Sequence, residues 1–168
     1  LEAAFAAFAI AVLIVFIQRE PKSTPSEVAR SDSIRLENRT LIYEDHYASA
    51  DRIVVRSDGD TLTLQGDNTF FLADIEDEDT THKFSIRTSE FDGLRLLLGQ
   101  GDDQLTLEGI SGINGDLVID GGEGENSIDV RGSVDLGPHS LTMTAARIVL
   151  FSEGHISSSD NGSIYLEA

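Results

Sequence analysis

Four oxygen-bearing residues recur at a fixed interval and could do chemistry: Asp102, Asp103, Glu125 and Asn126. Asp103 and Asn126 lie 23 positions apart, each in a glycine-rich stretch, 99–106 and 121–129. If the chain coils with that period the two become neighbours, and carboxylate and carbonyl oxygens are the ligands a hard cation such as calcium takes. The plainer reading is a glycine turn carrying a ladder of Asp and Asn side chains with no metal. No cofactor is therefore expected, and calcium at these four residues stands as the alternative. The tandem Asp102-Asp103 also suggests an acid and a base flanking a glycosidic bond. Neighbours on a strand point to opposite faces, however, so only one could reach a given substrate. His46, His82, His139 and His155 are scattered without metal-ligand spacing. No enzymatic activity is expected, and a carbohydrate-active enzyme is the remote alternative.

A repeat would position these residues. Strand-like runs begin at Leu94, Leu117, Leu141 and Ile164, intervals of 23, 24 and 23. A second set begins at Leu105, Ile128 and Ile148, intervals of 23 and 20. Most alternate in polarity, with Gly, Asn, Asp or Ser between them. A period in the low twenties predicts a stacked coil whose rungs cannot bury their own apolar side chains and do so as ladders of like residues. A β-sandwich with regular turns is the competing architecture. Upstream, 52–65, 69–75 and 83–87 are strand-like with looser timing, and 74–81, with five acidic residues, reads as an exposed turn. Phe70, Phe71, Tyr43 and Tyr47 suit core or inter-subunit packing.

The 168 residues carry a formal charge of −18 and no Cys. That balance argues against nucleic acid and anionic lipid, and disulfides are excluded. Residues 1–18 form a continuous apolar run with six Ala and no Gly or Pro. As a helix it would reach about 27 Å, a little less than a hydrocarbon core of about 30 Å. Filament core and membrane anchor are both open, and a signal peptide or a fragment boundary is the plainer alternative. Pro21 cannot continue a helix without losing a bond. Thr24-Pro25-Ser26-Glu27 reads as a capping box opening a short helix near 25–31, or as part of a flexible linker. Asn38-Arg39-Thr40 and Asn161-Gly162-Ser163 match the glycosylation sequon, the second better explained as a turn.

An acidic residue near the start, an uncharged run and a β-rich body together resemble the pilin-like class of surface-filament subunits, over about the first 20 residues. In type IV pilins the helix packs in the filament centre and a glutamate near the start balances a neighbour's free amine. That role carries over to Glu2, and the resemblance makes Leu1, Phe5, Phe8, Leu13 and Phe16 assembly contacts. Stretches 99–107, 120–130 and 140–145 look like repeats of large bacterial surface and haemagglutinin-type proteins, as does the ending from His155 to Leu166. Residues 121–129 fit the glycine-rich nonapeptide of calcium-binding β-rolls, with Asn126 in the usual Asp place and Asp103 there in a partial copy. The resemblance implies a right-handed parallel β-helix used in adhesion or surface structure.

The expected fold is mainly β: an N-terminal hydrophobic α-helix (1–20), a neck (21–38) and a right-handed parallel β-solenoid (39–168). The expected function is that of a structural subunit of an extracellular, cell-surface filament. Its partners would be copies of itself, with membrane lipid before assembly and no nucleic acid. A membrane-anchored adhesion module is the alternative.

Overall fold

Leu94, Leu117, Leu141 and Ile164 lie one above another in adjacent parallel strands, as their spacing requires. The computed structural model describes residues 31–58, 60–67, 69–73 and 80–168. The strands are β1 (Ser31–Glu37), β2 (Thr40–Glu44), β3 (Arg52–Asp58), β4 (Thr61–Gly66), β5 (Phe70–Ala73), β6 (Thr80–Thr81) and β7 (Lys83–Arg87), followed by a 3-10 turn, Thr88–Glu90. Next come β8 (Gly93–Leu97) and β9 (Gln104–Leu107), then β10 (Leu117–Asp120), β11 (Ser127–Val130) and β12 (Ser133–Asp135). β13 (Leu141–Thr144), β14 (Arg147–Leu150), β15 (His155–Ser157) and β16 (Ile164–Glu167) complete the order.

Two walls face each other across the core. β2, β8, β10, β13 and β16 run parallel in one, and β3, β9, β11 and β14 run parallel in the other. A shorter third wall pairs β12 with β15. Alternation decides which side chains turn inward. Leu41, Leu94, Leu117 and Leu141 form one fully buried ladder, and Tyr43, Leu96, Ile119 and Met143 form the next. Opposite them stand Ile53, Leu105 and Ile128. The stack makes about three turns, a β-solenoid-like body as the repeat predicts.

The N-terminal end departs from that pattern. Leu41 and Leu94 are register partners although 53 positions separate them, thirty more than an ordinary rung. The extra chain builds a cap. β1 pairs antiparallel with β2, β4 with β3, and β7 with β4, while β5 lies parallel to β1 and antiparallel to β6. The turn joining β1 to β2 places Asn38 and Arg39 at φ 49° and 63°, the two left-handed residues of a tight hairpin turn. Ile34, Leu62, Leu64, Phe71, Phe84 and Ile86 close the core beneath the cap, and Phe71 meets Tyr43 edge-on with ring centroids 5.8 Å apart.

The expected fold class is corrected here. Among the described residues there is no α-helix, only the 3-10 turn, and no helix long and apolar enough to cross a membrane. Nor is the body uniformly parallel, because four of its strand pairs are antiparallel. The physical reason is the open edge: β2 and β3 need hydrogen-bonding partners, and a chain that folds straight back supplies them through a short turn, whereas a parallel partner needs a long crossover. The expected helices at 1–20 and near 25–31 lie outside the described residues, apart from Ser31, which begins β1.

Leu117 is fully buried in the middle of its ladder. Leu117→Ala is expected to cost about 2–5 kcal/mol, whereas a change at exposed Arg95 on the neighbouring strand stays within about 0.5 kcal/mol. Urea unfolding of the two variants measures both.

Candidate metal centre

Glycine lets the corner between the two walls stack closely. The chain passes from β2 to β3 through residues 45–51, from β8 to β9 through 98–103, and from β10 to β11 through 121–126. These loops bond to one another: Gly101 N–H donates to the Glu123 carbonyl at 3.1 Å and Glu123 N–H to the Gly99 carbonyl at 2.8 Å. Gly122 and Gly124 sit at φ 69° and 114°. A Cβ on either would collide with the carbonyl of Gly99 or Gly101 in the rung above, so glycine is required on both counts.

A ladder of acidic and amide side chains runs down this corner. Asn126 Oδ1 accepts from Asp103 N–H at 2.7 Å, and Asp103 Oδ1 accepts from Asp51 N–H at 2.8 Å. Asn126 also spends its amide group, donating to the carbonyls of Gly121 and Glu123. Asp102 and Glu125 are exposed beside the ladder, with Asp102 Oδ1 accepting from Glu125 N–H at 2.9 Å. The four residues singled out by spacing are thus brought together, but one oxygen each of Asp102, Asp103 and Asn126 is already taken by a backbone N–H. Of the histidines, His46 meets Ser33 and His82 meets the Thr69 carbonyl through ring nitrogens.

The denser cluster lies one rung higher. Asp32 on β1, and Asp45 and Asp51 at the two ends of the β2–β3 loop, offer carboxylate oxygens within 4.8 Å of one another. They are 1, 6 and 6 % exposed, and Asp103 beneath them is 1 % exposed. Asp32 accepts from the Tyr43 hydroxyl at 2.8 Å and from His46 N–H at 3.3 Å. Asp45 Oδ1 accepts from Tyr47 N–H at 2.7 Å, and Asp51 accepts from the Ser49 hydroxyl at 3.3 Å. No Arg or Lys pairs with any of the four among the described residues. Asp45 Oδ2 and Asp103 Oδ2 are buried without a hydrogen bond. Thr69 Oγ1 is buried too, near enough to Asp51 to help hold its charge but without a hydrogen bond of ordinary geometry.

Sequence reasoning missed this triad. One signal was there: Asp32 and Ile34 are two apart on β1 and both point inward, so a carboxylate occupies a core position of an alternating strand. The convergence of Asp32 with Asp45 and Asp51 depends on the hairpin between β1 and β2, which spacing alone does not reveal.

Burial governs the electrostatics here. It raises the Asp103 carboxyl to about 6, with the charges of Asp51, Asp32 and Asp102 adding to the shift. Burial likewise raises Asp45, reinforced by Asp32 and Asp51, and raises Asp51, reinforced by Asp32. Tyr43 is raised by burial and by Asp32. A carboxyl whose folded value exceeds its unfolded one binds more protons when folded. Its contribution is therefore fully favourable below the unfolded value of 3.8 and declines as pH rises through about 6 for Asp103, and further up for Asp45. In cation-free buffer the melting temperature should fall between about pH 4 and pH 7. Asp103→Asn should flatten that slope, and an unchanged slope would refute the assignment.

No protein-family model matches the chain, and neither a curated protein nor a solved structure matches it. Any role for this corner has to be argued from its geometry.

Proposed function

We propose that the chain is a structural subunit of an extracellular surface filament, in which the apolar run 1–18 gathers copies and the acidic solenoid is the outer body. The observation that carries this reading is the core of the described residues, in which cap and rungs bury one another from Ile34 to Met143. The upstream run then needs a burial partner of its own, since apolar surface on this scale is driven from water, and copies of the same run supply one. Burying about ten large apolar side chains at roughly 1.5–3 kcal/mol each exceeds what one subunit loses in freedom on joining. The likeness of residues 1–20 to pilin-like subunits and of the body to surface-protein repeats supports the same role, and the reading assigns no reaction.

A membrane-anchored adhesion module is the second reading. It is favoured by a polar depression of about 300 Å³ at the corner, lined among others by Arg52, Asp102, Gln104, Glu125 and Arg147, which suits a polar ligand. Phe8→Asp and Leu13→Asp separate the two. Under the filament reading each variant leaves no fibres in electron micrographs of material sheared from cells. Intact fibres from either variant would overturn it. Wild-type chain found only in detergent extracts would favour the anchored module.

A further inference from the structure

We propose that Asp32, Asp45 and Asp51, with Asp103 beneath them, form a calcium site that clamps the antiparallel cap to the coil. The corner ladder supplies its own control. Its structural task is to offer one oxygen to the backbone N–H of the rung above, and Asn126 does this with no charge and with its amide group satisfied. Asp103 performs the same task one rung higher, yet leaves Oδ2 buried and without a partner. If holding the backbone were all that mattered, an amide would serve there at lower cost, because an uncompensated buried charge is strongly unfavourable. The acid marks the place where the ladder reaches the triad.

The unpartnered oxygens point the same way. Asp45 Oδ2 belongs to a residue 6 % exposed whose carboxylate lies among those of Asp32 and Asp51. With no Arg or Lys paired to the group among the described residues, its charge is met either by a proton, as the raised Asp45 and Asp103 carboxyls allow, or by a cation that displaces it. The donors are all oxygens, which excludes the softer metals on chemistry. Oxygens on opposite sides of one calcium ion lie roughly 4.6–5.2 Å apart, so one ion can span a group whose members fall within 4.8 Å. Calcium takes six to eight oxygens in flexible geometry, whereas magnesium keeps several of its waters. Three buried carboxylates with oxygens within 4.8 Å of one another, and Asp103 beneath them, fit the former.

Such an ion would join three pieces of chain distant in sequence: β1 through Asp32, the β2–β3 loop through Asp45 and Asp51, and the next rung through Asp103. Asp51 and Asp103 also line the polar depression on which Asp102 and Glu125 are exposed, but the last two lie outside the triad.

The test uses the full chain in mild detergent, first stripped with chelator and then titrated with calcium chloride. The melting temperature should rise by about 5–10 °C when calcium exceeds its Kd roughly a hundredfold. Terbium in place of calcium should luminesce on excitation of Tyr43, whose hydroxyl lies 2.8 Å from Asp32. Asp45→Asn and, independently, Asp51→Asn should abolish both responses, while Asp102→Asn keeps them. Because each ligand variant removes one crowded charge, its melting temperature in chelator should equal or exceed that of the wild type, which separates lost binding from lost folding. No calcium shift in the wild type, or a response that survives Asp45→Asn and Asp51→Asn, overturns the proposal.

Discussion

Register between rungs is the constraint on which everything else rests. Each wall strand bonds to the strand one turn away, and a slip of one position would turn every inward Leu outward. The corner loops hold the register. Gly99 and Gly101 lie over Gly122 and Gly124 at the same interval of 23, and backbone bonds from Gly99 and Gly101 to Glu123, one in each direction, join the two loops. Leu94, Leu117 and Leu141 can then sit in one column with none exposed. The shorter interval from Ile128 to Ile148 shows the rule from the other side. At that level the corner has only Ala145 and Ala146 between β13 and β14, and the pairing of Ile128 with Ile148 survives because the shortening falls entirely in the loop.

A ladder of that kind must end somewhere, and its upper end explains the acidic corner. The column Asn126, Asp103, Asp51 passes its hydrogen bonds upward from rung to rung. Above Asp51 the described residues add no further parallel rung to β3. The chain folds back as the β1–β2 hairpin, whose turn at Asn38 and Arg39 is tied to the second rung by Arg39 gripping Asp92 at 2.7 and 3.0 Å. That hairpin lowers Asp32 onto the end of the column. Charge concentrates where the two architectures meet.

The parallel part of this fold was legible in the sequence because a solenoid writes its period directly into spacing. Leu94, Leu117, Leu141 and Ile164 gave both the strands and their partners, and Asp103 was placed beside Asn126 by counting alone. The cap was not legible, since a hairpin has no period to read. Residues 52–65 were strand-like throughout, but they are two strands, β3 and β4, folded against each other. Ser31–Glu37 falls within the expected neck, 21–38, because Ser31 and Ser33 suggest a linker, whereas its inward positions are Asp32 and Ile34. A buried carboxylate looks polar to any composition argument, and only the fold shows that it has company.

The antiparallel register of β1 on β2 gives the corner a mechanical meaning. Ser33 pairs with Glu44 and Glu37 with Thr40, so the upstream end of β1 lies beside the downstream end of β2, where the 45–51 loop begins. The chain coming from the apolar run therefore enters the body at the acidic corner. Peeling β1 from that end would break its bonds one at a time. Asp32 sits at that end, held by the Tyr43 hydroxyl and by His46 N–H. A cation bridging Asp32 to Asp45 and Asp51 would make the first step of peeling require separation of several ligands at once. The crowding of carboxylates thus falls at the end of β1, where an ion would secure the seam between cap and coil.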